Sequence, residues 1–349
     1  MKEFKNPISV RGDYLYCPLP LDLDTYWNCT TDCVHCYLRR LNYVWGKEQR
    51  ALDPVKLEAK LKAASQSKAK NDLAVMLRLK KTIRWGNKSD PFQVCEYRYG
   101  ISVQVFRILK KLNWSFALYT KNVELMQKML GDELWDEWCL KNVSMLISVM
   151  VGQEYDWMKL ENERCSSFAN RLHFLARWLD KGGMGALICE PFIPGYHSIS
   201  QWESLLKRAK MLGINRVNIY NFHFNAFVAR RLHKRGIDIR RIWYYNQDQQ
   251  WRPILKVLLR RAKDMGMIVG CPDFVNSGDF VDECNTCCGV DVPNPCRFNT
   301  HHWKPMWLLG YEADDIIERT YEGYGDVEKA KQILQGQSKE FYTMKDIVR

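Results

Sequence analysis

Residues 29–36 read Cys29-Thr30-Thr31-Asp32-Cys33-Val34-His35-Cys36, three cysteines spaced C-x3-C-x2-C within one short segment. The run before it, Tyr14–Leu23, reads as a strand, so the triad falls in the loop that follows the first strand. Three thiolates this close can hold three irons of a 4Fe-4S cube, and the spacing offers no fourth ligand. One iron would then stand open to a small molecule. Zinc is the competing metal, but a structural zinc site wants four closed ligands with paired C-x2-C spacing. The remaining alternative is three reduced cysteines that meet by chance.

Outward from this loop, short β-rich runs alternate with longer helical ones. Further strands are expected at Thr82–Trp85, Ser115–Tyr119, Val143–Val149, Gly185–Cys189, Arg216–Tyr220 and Met267–Gly270. One helix starts at Asp53-Pro54, an N-cap residue followed by proline at the first helical position. Others are expected near 97–112, 123–139, 163–180, 199–212 and 250–265, with Ile101, Val105, Ile108 and Leu112 recurring at helical spacing. Strand and helix in alternation predict a parallel sheet built of βα units. About six units and a seventh strand point to an α/β fold of the full or partial (β/α) barrel kind. No G-x-G-x-x-G follows the first strand, which argues against a dinucleotide-binding sheet. Barrel chemistry collects in the loops after the strands. Those loops here are 29–36, Gly86–Gln93, Thr120–Asn122, Glu190–Gly195, Asn221–Asn225 and Cys271–Asp273. The barrel is expected over residues 1–270. A Cys-rich irregular segment with an acidic helical tail is expected over 271–349.

The chain has 349 residues, of which 46% are hydrophobic, enough for a sizeable core and too many for a disordered protein. It has 13 cysteines, and the N-terminal MKEFKNPISV has no apolar stretch suited to secretion, so metal or redox chemistry is expected before disulfides. The longest apolar run, Met145 to Val151, is far short of the ~20 residues of a membrane helix. A soluble, cytoplasmic protein is expected. The net charge of +12 is unevenly spread: residues 271–349 hold 8 basic and 14 acidic side chains, and residues 1–270 hold 44 and 26. A body that basic attracts polyanions such as nucleic acid, or simply keeps the protein soluble.

The cysteine loop resembles the signature of the radical S-adenosylmethionine (SAM) superfamily. The resemblance implies a partial (β/α)6 barrel of the radical SAM type, whose open iron chelates the amino and carboxylate groups of SAM. One electron from the reduced cluster then cleaves SAM to methionine and a 5′-deoxyadenosyl radical, which takes a hydrogen atom from substrate. An electron donor such as flavodoxin or ferredoxin is expected with it. The family usually has an aromatic residue before the last cysteine; this chain has His35. Downstream, Gly86-Asn-Lys-Ser-Asp90-Pro-Phe-Gln93 looks like the segment after the second strand of spore photoproduct lyase-like proteins. Tyr119-Thr-Lys-Asn122 is similar to their Thr-Lys-Ser stretch, and Glu190-Pro-Phe-Ile-Pro-Gly195 to their Pro-x-x-Pro-Gly loop.

By that resemblance Lys121 pairs with the SAM carboxylate, Ser89 and Asp90 lie near its amino group, and Ser148 lies near its ribose. Glu190 ends an apolar strand that faces the site. Each residue also has a plainer reading. Lys121 would be a solvated loop lysine, Asp90 an Asx-turn residue ahead of Pro91, and Ser148 a strand serine satisfied by backbone. Glu190 would make a structural hydrogen bond.

A second cysteine group, Cys284, Cys287, Cys288 and Cys296 with Cys271 upstream, is not ordinarily part of photoproduct lyases. Cys271, Cys284, Cys287 and Cys296 would suit an auxiliary iron–sulfur cluster or tetrahedral zinc, or they are reduced cysteines in a loop. Arg230-Arg-Leu-His-Lys-Arg235 and Arg240-Arg241 lead into Trp243-Tyr-Tyr245, a pattern that can hold phosphates and stack bases, or form a charged helix face. Arg39-Arg40, Arg78, Lys80, Lys81 and Arg84 are expected to add to the basic field. Three readings follow. The first is a radical SAM enzyme acting on nucleic acid or nucleotide, with base hypermodification favoured over photoproduct repair. The second is a peptide maturase with an auxiliary cluster, and the third a non-catalytic metal protein that binds nucleic acid.

Overall fold

Strand Val143–Val149 is buried at all seven positions although its sequence, VSMLISV, carries two serines. Continuous burial of this kind belongs to a parallel sheet covered on both faces. In the computed structural model, the residues described are 2–3, 7–10, 19, 21–38, 49–69, 72–151, 154–161, 163–220 and 222–270. Ten strands run in chain order: β1 (Lys2–Glu3), β2 (Ile8–Val10), β3 (Leu21–Leu23), β4 (Arg50–Ala51), β5 (Ile83–Trp85), β6 (Phe116–Thr120), β7 (Val143–Val149), β8 (Met184–Cys189), β9 (Arg216–Ile219) and β10 (Ile268–Gly270). β1 and β4 form a small parallel ribbon. The other eight make one sheet in the order β10-β9-β8-β7-β6-β5-β3-β2, parallel throughout except for β2 at one edge.

Each parallel strand lies beside the strand that precedes it in the sheet. The order never reverses, so the sheet is singly wound, and the topological switch point of a doubly wound sheet is absent from it. Its two ends, β10 and β2, are not paired among the described residues, which makes the barrel partial. This is the expected α/β partial barrel. No helix among the described residues is long and apolar enough to cross a membrane.

The strand expected at Tyr14–Leu23 is here Leu21–Leu23, and residues 11–18 lie outside the described ones. The helix expected over 123–139 is broken. Val123–Leu130 stops at Gly131, whose φ of 54° lies in the left-handed region, and Asp136 starts Glu137–Asn142 by accepting from the Cys139 backbone N–H. The charged stretch between β9 and β10 overlaps two helices that lie outside the sequence expectation, Ala226–Lys234 and Ile239–Tyr245. The Cys-rich segment, the tail and the second cysteine group lie outside the described residues.

Alternation along the strands divides two environments. Ile83, Trp85, Phe116, Leu118, Met145, Ile147, Leu187 and Val217 face the helices in the large core. The other face carries a smaller cluster with Ala117, Tyr119, Leu146, Ala186 and Ile188. In register with these are Asp22 beside Arg84, Arg84 beside Ala117, and Ala117 beside Ser144. Asp22, Arg84, Ser144, Ser148 and Asn218 are all buried. Buried polar groups are costly unless they are bonded, so an interior this polar is more than packing. At its mouth Gly86, with φ of 99°, lets the end of β5 pass close to β6: a Cβ there would stand 2.5 Å from the Tyr119 carbonyl oxygen.

Candidate radical SAM site

The loops leaving β3, β5, β6, β8 and β9, together with β7, line a cavity that is partly open to solvent. Cys29, Cys33 and Cys36 line it, as do Ser89, Asp90, Lys121, Ser148 and Glu190. The structure therefore brings together all eight residues singled out in the first 270, from five separate stretches of chain.

The cysteine loop is clamped from several sides. The Val34 N–H donates to the Leu160 carbonyl at 2.8 Å, and Val34 packs in an apolar cluster with Leu160, Val228 and Leu232. Arg231 donates to the Cys33 carbonyl at 2.8 Å and to Asp32 Oδ1 at 2.6 Å. Asp32 itself has φ of 59°, a left-handed conformation that Asp tolerates better than most residues. None of the three is in a disulfide among the described residues. Burial, reinforced by the Asp90 charge, pushes the Cys29 thiol up to about 12, so a metal is what would hold it as thiolate. His35 is buried, with Nδ1 at 3.2 Å from the Leu160 carbonyl. A carbonyl can only accept, so Nδ1 carries the hydrogen. Burial, with the Lys121 charge adding to it, holds this ring down at about 3, and it is neutral.

The loop after β5 is braced in turn. Asp24 Oδ1 accepts from the Lys88 and Ser89 N–H groups at 2.8 and 3.2 Å. Burial raises this carboxyl to about 6. Ser89 Oγ donates to the Tyr26 carbonyl at 2.6 Å. Asp90 makes the Asx turn, accepting from the Phe92 N–H at 2.9 Å, and extends it. Its oxygens also accept from Thr120 Oγ1 at 2.7 Å and the Lys121 N–H at 2.8 Å, tying the β5 loop to the end of β6. Burial pushes this carboxyl up, and those donors oppose it.

Lys121 is not a solvated loop lysine. Its Nζ donates to Glu161 Oε1 at 2.6 Å and to the Glu190 carbonyl at 3.2 Å. Glu161 also accepts from Arg171, which donates to the Ser148 carbonyl at 2.7 Å. The Glu161 and Arg171 side chains are fully buried. Burial pushes the Glu161 carboxyl up, but Arg171 and Lys121 outweigh it and hold it down at about 2. Burial likewise works against the Lys121 charge, yet Glu161 raises it further above its ordinary value. Ser148 Oγ is buried, lines the cavity and has no hydrogen-bond partner among the described residues. Glu190 Oε2 accepts from the Tyr119 hydroxyl at 2.9 Å.

Sequence reasoning missed Glu161 and Arg171, and the buried Cys165 that stands beside Cys33; the fold alone brings them there, and no local motif marks them. It also misread part of the basic field. Lys81 and Arg84 are buried rather than on the surface. Arg84 lines the cavity, its guanidinium 5.1 and 5.9 Å from the rings of Tyr119 and Tyr220. Arg231 is turned onto the cysteine loop, and Arg39 and Arg40 lie outside the described residues.

The chain superimposes on a spore photoproduct lyase mutant with a TM-score of 0.53 at 14% identity, covering 75% of this chain and 79% of that one. A second mutant, with bound AdoMet and dinucleoside spore photoproduct, gives 0.51 at 14% identity over 74% and 80%. This chain shares the fold of the spore photoproduct lyase structures. Streptococcus suis SuiB bound to S-adenosylmethionine matches at 0.42 with 16% identity, over 64% of this chain and 48% of that one. No family model matches this chain, and no curated protein does.

Removing one partner from a buried ion network leaves the others uncompensated. Glu161→Gln should therefore destabilise the cluster-free protein by about 3–5 kcal/mol in denaturant unfolding. The pH dependence has a definite sign. Glu161 is held at about 2 against an ordinary 4.5, so its contribution is complete above 4.5 and lost as pH falls towards 2. That part of the acid limb should be missing in Glu161→Gln; an unchanged limb would show that the network carries no stability.

Proposed function

We propose that this chain is a radical SAM enzyme in which Cys29, Cys33 and Cys36 hold a 4Fe-4S cluster and the adjoining cavity binds SAM. The observation that carries the reading is the meeting, in one cavity at a barrel mouth, of three closely spaced cysteines outside any disulfide with a buried hydroxyl that has no partner among the described residues. When bound, the reduced cluster supplies the electron that cleaves SAM to methionine and a 5′-deoxyadenosyl radical. The residues of the chain do the rest. Ser148 offers its unpartnered Oγ to a polar group such as the SAM ribose. Lys121 keeps positive charge beside the cysteines and is held there by Glu161, so a SAM carboxylate would share it rather than meet a free cation. Ser89 and Asp90 position the β5 loop near the SAM amino group. Glu190, bonded to Tyr119, presents a carboxylate to the cavity.

The substrate we favour is a nucleic acid or nucleotide, with base modification ahead of photoproduct repair. The strongly basic body supports this. So does the exposure of Arg230, Lys234, Arg235, Arg240 and Arg241, close in sequence to Trp243 and Tyr244, which are 60% and 50% exposed. A fold relative binds a dinucleoside. The second cysteine group, Cys271, Cys284, Cys287 and Cys296, is read as an auxiliary iron–sulfur or zinc site, and is what leans the reading towards modification. A peptide substrate is the second reading, and that same group supports it.

Two tests apply. Anaerobically reconstituted protein should release 5′-deoxyadenosine from SAM under dithionite, and Cys33→Ala should lose both the cluster and this activity. Wild-type metal content should exceed four irons, or include about one zinc, if the second site binds metal. Full SAM cleavage by Cys33→Ala would contradict the assignment. Single-stranded DNA should bind in a strongly salt-dependent manner, and Trp243→Ala should weaken it by about 1–3 kcal/mol, the worth of one stacked base. Tighter binding to a peptide, insensitive to Trp243, would favour the second reading.

A further inference from the structure

Cys165 belongs to no motif, yet its sulfur stands 4.0 Å from that of Cys33. Both side chains are buried and both cysteines are free. They are 132 residues apart in sequence, so the fold alone brings them together. The main chain is fixed on both sides of the gap. Next to Cys165, Arg164 donates to the Thr30 carbonyl at 2.9 Å, and the Ser166 N–H donates to the Lys121 carbonyl at 3.1 Å. Next to Cys33, Arg231 holds Asp32 and the Cys33 carbonyl, and the Val34 N–H is bonded to Leu160. Between two braced backbones, side-chain rotation with small shifts can bring the sulfurs to the ~2.05 Å of a disulfide. Access is unequal. Cys33 lines the cavity, where a small oxidant can reach it, and Cys165 is not among the lining residues.

We propose that Cys33 and Cys165 form a reversible disulfide in the cluster-free protein, a latch that withdraws one cluster ligand under oxidation and restores it on reduction. With hydrogen peroxide as oxidant, the Cys33 thiol becomes a sulfenic acid and one water leaves. The Cys165 sulfur then attacks the Cys33 sulfur; the S–S bond forms, the S–O bond breaks, and the second water leaves with the proton from Cys165. Two thiols have given two electrons to one peroxide. A dithiol reverses the change by returning two electrons and two protons. The latch keeps Cys33 off the irreversible sulfinic branch of thiol oxidation, which would destroy the cluster site. Its value as protection rests on the reading of Cys33 as a cluster ligand, whereas the disulfide itself does not.

The test uses cluster-free, full-length protein treated with excess hydrogen peroxide, alkylated, and digested without reductant. Mass spectrometry should find a peptide linking Cys33 to Cys165 that disappears with dithiothreitol. In Cys165→Ser the same treatment should leave Cys33 as sulfinic acid. Cluster content after reduction and reconstitution should then fall several-fold below wild type, while the unoxidised variant reconstitutes normally. Linkage of Cys33 to another cysteine, or equal recovery of wild type and Cys165→Ser, would overturn the proposal. The linked peptide is read on the unaltered chain, so poor folding of the variant cannot hide the result. A wild type that forms the disulfide but never assembles a cluster would support the latch chemistry and overturn the functional reading.

Discussion

The site depends on one buried carboxylate. Glu161 is fully buried, and an unpaired charge there would cost several kcal/mol. It stands because Lys121 and Arg171 reach it from opposite sides, the first just beyond β6 and the second from the helix Phe168–Asp180 that covers the sheet. Lys121 continues to the Glu190 carbonyl beyond β8, and Arg171 to the Ser148 carbonyl in β7. One anion thus sets the spacing of three neighbouring strand ends. The same network fixes the Lys121 charge in the cavity that the cysteines line, and occupies the backbone of Ser148, but not its hydroxyl.

Around this network each loop is held by another element as well as by its own residues. Asp90 in the β5 loop bonds the backbone beyond β6, and Asp24 beyond β3 bonds the β5 loop. Arg231, from a helix between β9 and β10, bonds the cysteine loop. Such cross-bracing gives a mouth whose groups are set before any ligand arrives, so that binding energy is not spent on ordering them. It also explains why polar side chains line the inner face of the barrel, where small residues such as Ala117 and Ala186 leave room for them.

Much of this was legible in the sequence. Strands such as Val143–Val149 announce themselves as short apolar runs, and the order of loops along the chain is the order of strands in the sheet. The C-x3-C-x2-C spacing is a local signal, and so is the proline-flanked turn at Asp90. What could not be read is what depends on contact between distant segments. Nothing near Glu161 in sequence says that two cations meet it, and nothing near Cys165 says that Cys33 is its neighbour. Charge runs were the poorest guide, because composition does not say which way a side chain points. Arg231 belongs to a basic run and Arg84 to the basic field, yet one turns to a backbone carbonyl while the other enters the barrel between two tyrosines.

The central claim is that the cysteine loop and the cavity beside it form a single site, with a cluster iron open to SAM. Electron paramagnetic resonance of the reduced, reconstituted protein tests this most directly. The spectrum of the reduced 4Fe-4S cluster should change on adding SAM, because the amino and carboxylate groups would bind the open iron. A spectrum that SAM leaves unaltered, in protein that still binds SAM, would place cluster and SAM apart and contradict the account.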